Sequence, residues 1–229
     1  MKNMKNNNYF SLSLLMVLMT ALALVACHDK EEDNSDSTKN TDKSYLTCPD
    51  SKHPHLIDLD LPSGTLWSCC NMGAFYPEDL GGFYAWGETE EKEYYGKNDY
   101  IYYDASSNRY QDIGKDIAGT QYDVVHVKWG GIWKMPTEEQ FHELIHHCSY
   151  QRSFINGIRG AIYTSSTNGA YIFLPSAEYR ANYWSSTYSD RLSSGAKALY
   201  IFPSTFAASS YMDYEERSQG LHVRPVVKK

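Results

Sequence analysis

Residues 129–148 read WGGIWKMPTEEQFHELIHHC and contain the one clear helix signal of the chain. Thr137 is followed three residues later by Gln140, and this spacing is the capping box that marks a helix N-terminus. Apolar residues then recur at spacings of three and four, which predicts that one face of the helix is buried. These residues are Phe141, Leu144, Ile145 and Cys148.

The remainder of the folded part consists of short apolar or aromatic runs separated by Gly, Pro, Asn and Ser. Each run has the length of a β-strand, and several end at a proline or a turn cluster. They are Thr65–Cys70, Gly82–Trp86, Tyr171–Leu174, Tyr183–Ser186, Lys197–Phe202 and Leu221–Val227. A second, shorter helix is predicted after Thr120, towards Trp129. Many short strands with one or two helices predict an α+β domain.

Charge and composition exclude several classes of protein. The chain has 229 residues, with 21 Lys or Arg against 28 Asp or Glu, and a formal charge of −7. No nucleic-acid partner is expected, because binding phosphate requires clustered basic residues. A hydrophobic content of 42% is enough to bury a core. No linker-like stretch interrupts the later part of the chain, so residues 45–229 are predicted to form one domain.

Residues 1–26 have the organisation of a signal peptide. Lys2 and Lys5 precede Phe10–Ala26, which runs 17 residues without a charge and is short for a membrane-spanning helix. The segment ends in Leu-Val-Ala before Cys27, which resembles the bacterial lipobox. The resemblance implies that Cys27 is acylated, becomes the first residue of the mature protein and anchors it in a membrane. An ordinary secretory signal is the alternative.

Residues 27–44 are predicted to be a solvated tether behind the lipid. The stretch HDKEEDNSDSTKNTDK contains no apolar residue, so it cannot fold alone. Its acidic run directly after Cys27 resembles the surface-export signal of Bacteroidetes lipoproteins. The resemblance implies display on the outside of the outer membrane, and a merely hydrophilic linker is the alternative.

Four cysteines remain once Cys27 is assigned to lipid. They are Cys48, Cys69, Cys70 and Cys148. An even number in an exported domain predicts two disulfides. A bridge between the adjacent Cys69 and Cys70 would be strained, and on a strand these two point to opposite faces. Two connectivities are left, of which we favour Cys70–Cys148 with Cys48–Cys69.

Several segments together carry a resemblance to a known family. They are Leu61–Trp67 followed by Cys70–Ala74, Phe83–Thr89, Trp129–Thr137 with its helix, Tyr183–Thr187, and Val223–Val226. In this order they resemble the Fibrobacter succinogenes major paralogous domain family, which is common in Bacteroidetes lipoproteins. The resemblance covers nearly all of residues 45–229 and implies a fold more than a function.

A more distant resemblance concerns the fold alone. A capped helix after a Gly/Trp-rich turn, then a Trp-Ser strand and a late Arg strand, is similar to C-type-lectin-like and sulfatase-modifying-factor domains. The calcium signature of the former and the late reactive cysteine pair of the latter are missing, so neither chemistry is expected. Arg224 in the late strand is predicted to be an internal hydrogen-bonding anchor.

The segment from His142 to His146 matches the zinc motif H-E-x-x-H. Two histidines one helical turn apart can bind Zn²⁺, with Glu143 as general base. A catalytic zinc needs a third protein ligand, but Ser149 and Arg152 stand where the longer motif requires Gly and His. Both histidines lie at the edge of the apolar stripe, so we favour a solvated helix flank without metal. A zinc-dependent hydrolase is the alternative.

Aromatic side chains are the best candidates for ligand binding. Glu93–Tyr110 holds six tyrosines among polar residues without a clear period, which predicts a long surface loop. A second variable region is Tyr188–Ser194. Exposed tyrosines suit sugar rings or protein surfaces, and packing of the loop on itself is the alternative. The candidate binding residues are Trp86, Tyr102, Tyr103, Trp184 and Tyr188. The five tryptophans of the chain are mainly predicted to pack in the core, and Trp86 and Trp184 are the two expected to be partly exposed.

These observations favour a non-enzymatic recognition or adhesion domain on the cell surface, without a cofactor, that binds an extracellular glycan or protein. Two alternatives stay open. One is the zinc hydrolase that uses His142, Glu143 and His146. The other is a passive structural subunit of a surface assembly.

Overall fold

The computed structural model describes residues 55–177, 179–203 and 209–229. All of them belong to one compact unit. The predicted signal peptide, the lipidated Cys27, the tether and Cys48 lie outside the described residues. None of the helices in the described ranges is both long enough and apolar enough to cross a membrane.

Within those ranges the chain forms short strands and two α-helices, which confirms the predicted α+β class. In chain order the elements are β1 Leu56–Asp58, β2 Thr65–Ser68, β3 Tyr103–Asp104, β4 Arg109–Tyr110, α1 Val124–Trp129, α2 Glu138–His147, β5 Cys148–Ile155, β6 Ile158–Ser165, β7 Tyr171–Ser176, β8 Ala181–Tyr188, β9 Gly195–Phe202, β10 Ser209–Glu216 and β11 Val226–Lys228. The described strands pair as β1–β2–β11, β5–β6–β7, β8–β9–β10 and the hairpin β3–β4. All of these pairings are antiparallel.

The β8–β9–β10 sheet separates two hydrophobic cores, because successive residues of a strand point to opposite faces. Tyr183 and Leu199 face the first core, which also contains Phe141 of α2. Trp184 and Ala198 face the second, into which α1 packs. Both faces of this sheet are therefore apolar, which explains why β8 and β9 are recognisable as strands in the sequence.

Helix α2 begins as the sequence predicts. The side chain of Thr137 accepts a hydrogen bond from the backbone of Gln140, and the side chain of Gln140 accepts one from the backbone of Thr137. Phe141, Leu144 and Cys148 are buried, and Ile145 packs against them at the edge of the core. The shorter helix is also confirmed as α1, where Asp123 accepts hydrogen bonds from the first free backbone N–H groups.

The β5–β6 hairpin was not predicted. Ile155 pairs with Ile158 across a two-residue turn, in which Asn156 has φ 48° and Gly157 has φ 83°. Positive φ at both central positions is the type I′ turn that Asn-Gly favours between antiparallel strands. The Asn156-Gly157 pair was therefore the signal, but the polar residues of β5 interrupt the apolar runs on which the strand predictions relied.

Arg224 is the internal anchor that the sequence predicted. It is completely buried and donates to four acceptors from separate segments. Its Nε is 2.8 Å from Asn71 Oδ1, its Nη1 is 3.1 and 2.6 Å from the carbonyl oxygens of Ser68 and Cys69, and its Nη2 is 2.6 Å from that of Phe173. Burial lowers the pKa of its guanidinium. The cation is stabilised by this set of dipoles, which ties β2 and β7 to the C-terminal segment.

His222 makes the stability of the fold sensitive to acid. Its ring packs 4.2 Å from the Phe83 ring and 5.6 Å from the Tyr183 ring, centroid to centroid. The pKa of the imidazole is lowered to about 4, mainly by burial and also by the nearby Arg224, and the hydrogen bond between Nδ1 and the Gly82 carbonyl oxygen opposes this shift. In the unfolded chain the pKa of histidine is about 6.5. The unfolded state therefore binds the proton first, so stability is lost as the pH falls from about 6.5 towards 4.

We expect this one group to cost about 2–3 kcal/mol of unfolding free energy between about pH 7 and about pH 4.5. The measurement is urea unfolding of the wild type and of His222→Gln at both pH values. The variant should be less stable at neutral pH but should lose less on acidification. If both proteins lose the same free energy, His222 is not the acid-sensitive group.

Candidate functional site

The H-E-x-x-H segment lies on α2. Glu143 forms hydrogen bonds with a residue outside the helix, and the two histidines contact atoms of the helix itself. Glu143 Oε2 accepts hydrogen bonds from Ser63 Oγ at 2.5 Å and from Ser63 N at 3.4 Å. His142 Nε2 is 3.8 Å from Glu138 Oε1, and His146 Nδ1 is 2.7 Å from the His142 carbonyl oxygen. Among the described residues, no group of three or more His, Cys, Asp or Glu side chains is arranged to hold a metal ion. The zinc alternative therefore rests on two candidate ligands, His142 and His146, without a third side chain grouped with them among the described residues.

The expectation that Trp86 and Trp184 are partly exposed was wrong. Both rings are completely buried in the second core. Trp86 Nε1 donates to the Ser185 carbonyl oxygen at 2.9 Å, and Trp184 Nε1 donates to the Tyr84 carbonyl oxygen at 2.7 Å. Each indole therefore has its polar atom satisfied inside the domain, and neither ring face is accessible to a ligand in solution.

The cysteines of the described part share one core. Cys69, Cys70 and Cys148 all belong to the first core, and the Sγ atoms of Cys69 and Cys70 are 3.2 Å apart. Cys148 is a free thiol, and burial raises its pKa to about 11. The favoured Cys70–Cys148 bond is therefore not formed in this structure. The Cys48–Cys69 pairing stays a prediction, because Cys48 lies outside the described residues.

The segment Glu93–Tyr110, called here the tyrosine loop, packs largely on itself. It contains a short 3₁₀ turn at Lys97–Asp99 and the β3–β4 hairpin, in which Tyr103 pairs with Tyr110. The rings of these two tyrosines lie 5.1 Å apart, and the Tyr100 ring lies 6.0 Å from the Tyr110 ring. Internal packing, which the sequence left as the alternative, is thus what holds the loop in shape.

Arg217 fastens the tyrosine loop to the second core. Its guanidinium carbon lies 4.9 Å from the Trp86 ring centroid, 5.3 Å from that of Tyr100 and 5.8 Å from that of Tyr110. Its Nε donates to Tyr100 Oη at 2.9 Å, and its Nη1 donates to the Gln111 carbonyl oxygen at 3.0 Å. The side chain is buried. Cation–π contacts are strongest where the cation is desolvated, so Arg217 is expected to fix the loop firmly.

Tyr102 and Tyr103 are both half-buried, and these two residues are called here the rim of the tyrosine loop. The Tyr102 ring packs edge-on against the Tyr122 ring at 5.4 Å, and burial raises the pKa of the Tyr102 hydroxyl. Lys97 Nζ lies 4.5 Å from the Tyr103 ring centroid, and Tyr103 Oη donates to Asn108 Oδ1 at 2.8 Å. Each ring is therefore held in place while part of it still meets solvent.

The two segments that carry the candidate binding tyrosines meet at Arg217. The backbone of Arg217 donates to the Ser194 carbonyl oxygen at 2.7 Å, and its Nη1 lies 3.4 Å from the Ser193 carbonyl oxygen. Tyr188 is half-buried, and its ring centroid is 6.2 Å from that of Trp86. Tyr102, Tyr103 and Tyr188 thus lie in segments that share Arg217 as a support. Sequence reasoning missed Arg217 because no local pattern distinguishes it from a surface arginine.

No protein-family model matches the chain. No curated protein matches it. No solved structure matches it. The resemblance to the Fibrobacter succinogenes major paralogous domain family, and the C-type-lectin-like fold, therefore stay predictions that rest on the motifs in the sequence.

Proposed function

We propose that residues 45–229 form a non-enzymatic recognition or adhesion domain, which binds an extracellular glycan or protein through the rim of the tyrosine loop and the neighbouring Tyr188–Ser194 segment. The observation that carries this proposal is the shared support of both segments by the buried Arg217. A loop that is already ordered does not lose conformational entropy when it binds, and this improves affinity.

A glycan is the ligand that the rim suits best. Tyrosine offers a large flat contact area with few rotatable bonds. The Lys97 ammonium lies over the Tyr103 ring, and the Tyr103 hydroxyl donates to the Asn108 side-chain oxygen, so the half-exposed aromatic surface and polar groups are in direct contact. A sugar ring presents the same combination of C–H face and hydroxyl groups. The proposed location is the outside of the outer membrane. The lipobox-like sequence before Cys27 supports the membrane anchor, and the acidic run after Cys27 supports display on the outer surface.

The test is a glycan array probed with the purified mature protein and with the double variant Tyr102→Ala/Tyr103→Ala. We expect the wild type to bind a subset of glycans and the double variant to lose about tenfold or more in signal, because it lacks both half-exposed rings. Tyr94→Ala is the matched control. Tyr94 belongs to the same loop and is 70% exposed. An absence of wild-type hits, or hits that the double variant retains, would contradict the proposal.

The other two candidate functions have less support in the described residues. The only carboxylate of the zinc motif, Glu143, already accepts hydrogen bonds from Ser63. No observation on the described strand edges favours a passive structural subunit over recognition.

A further inference from the structure

The tip of the β5–β6 hairpin carries a cationic and aromatic surface that no part of the proposed function uses. Arg152 and Phe154 are two residues apart on β5, so their side chains leave the same face of the strand. Arg159 of β6 pairs directly with Phe154. The Arg159 guanidinium carbon lies 5.2 Å from the Phe154 ring centroid, and that ring is 63% exposed.

Two surface depressions meet at this pair of side chains. One has a volume of about 290 Å³ and lies between the hairpin tip, Leu80 and the end of β7 at Ser176. The other has a volume of about 170 Å³ and is lined by Arg152, Phe154, Arg159 and Pro203. We call the two depressions together the arginine groove. Phe154 and Arg159 form the ridge between them, so a chain-like ligand could occupy both sides.

The charge of the arginine groove is opposite to that of the whole chain. The chain carries a formal charge of −7, yet no described carboxylate forms an ion pair with Arg152 or Arg159. At the hairpin tip, Glu78 accepts a hydrogen bond from the Asn156 side-chain amide. Packing of Arg159 on Phe154 explains the position of one arginine. It explains neither Arg152 nor the exposed face of the phenyl ring.

We propose that the arginine groove binds a carboxylated polysaccharide, with guanidinium groups pairing with uronate carboxylates and Phe154 stacking on the face of a sugar ring. The planar fork of arginine matches a carboxylate with two parallel hydrogen bonds. An apolar ring between two cations fits a polymer in which sugar rings and carboxylates alternate. The groove is open to solvent, which suits a segment within a long chain better than a small molecule that must be largely enclosed.

This proposal is independent of the tyrosine loop, because the two surfaces share no residue. The probe is oligogalacturonate, titrated into the purified mature protein, with a neutral galacto-oligosaccharide, sulfated dextran and polyglutamate as comparisons. We expect binding of oligogalacturonate, weakening as salt is added, and no binding of the neutral sugar. Equal binding of sulfated dextran or polyglutamate would overturn the proposal, because charge alone would then explain the affinity.

The variants Arg152→Gln and Arg159→Gln are each expected to lower the affinity for oligogalacturonate by about tenfold, which is what one lost charge-assisted pair is worth. Lys228→Gln changes the net charge by the same amount at an exposed position of β11, outside both the groove and the tyrosine loop. It should bind as the wild type does. An equal loss of affinity in Lys228→Gln would overturn the proposal, and so would a folded wild-type protein, with a cooperative unfolding transition, that does not bind oligogalacturonate.

Discussion

Replacement of Arg224 by Met is expected to lower the free energy of unfolding by about 3–5 kcal/mol. Methionine fills a similar volume but donates no hydrogen bond, so four acceptors around the site would lose their partner at once. An unsatisfied buried acceptor costs about 1–3 kcal/mol, and relaxation or entry of water recovers part of the sum. The expected loss is a large fraction of the stability of a domain.

Urea unfolding of Arg224→Met, with Arg224→Lys and Arg191→Met as comparisons, measures this effect. Lysine retains the charge but cannot span all four acceptors, so Arg224→Lys should fall between the wild type and Arg224→Met. Arg191 is exposed, and its replacement should change the stability by less than about 0.5 kcal/mol. If Arg224→Met lies within about 1 kcal/mol of the wild type, Arg224 is not the anchor of the fold.

Replacement of Arg217 by Met is expected to release the tyrosine loop while the rest of the domain stays folded. The variant loses the donors to Tyr100 Oη and to the Gln111 carbonyl oxygen, together with three cation–ring contacts. We expect the loop to open more easily by about 2–4 kcal/mol, which combines the lost hydrogen bonds with the cation–π contacts. Ligand binding through the rim should weaken as well, because the loop would have to be ordered on binding.

Hydrogen exchange resolved along the chain distinguishes this local effect from global unfolding. Amides of the tyrosine loop should exchange faster in Arg217→Met, whereas those of α2 should keep their protection. Arg109→Met is the matched control, since Arg109 lies in the same hairpin and is exposed. Unchanged exchange of the loop in Arg217→Met would show that the loop does not depend on Arg217.

Local signals explain which elements could be predicted from the sequence. The capping box and apolar spacing of α2 lie within one short segment, and the prediction of this helix was confirmed. Strands β8 and β9 are apolar on both faces because a core lies on each side of their sheet. Strand β10 was missed, because it lies at the edge of its sheet and none of its residues is buried, so it has no continuous apolar run.

The candidate site was harder to predict because long-range contacts build it. Trp86 and Tyr100 are separated from Arg217 by more than a hundred residues in the sequence, and no periodic pattern links them. For the same reason, nothing in the sequence distinguished the buried Trp86 and Trp184 from the half-exposed Tyr102 and Tyr103. The sequence predicted which segments carry aromatic rings, and the fold determined which of those rings reach the surface.

Titration of the strongest array glycan into the wild type, Tyr94→Ala and Tyr102→Ala/Tyr103→Ala tests the central claim most directly. If the rim of the tyrosine loop is the recognition surface, the first two proteins should bind with equal affinity and the double variant at least about tenfold more weakly. Equal affinity of all three proteins would place recognition elsewhere on the domain and contradict this account.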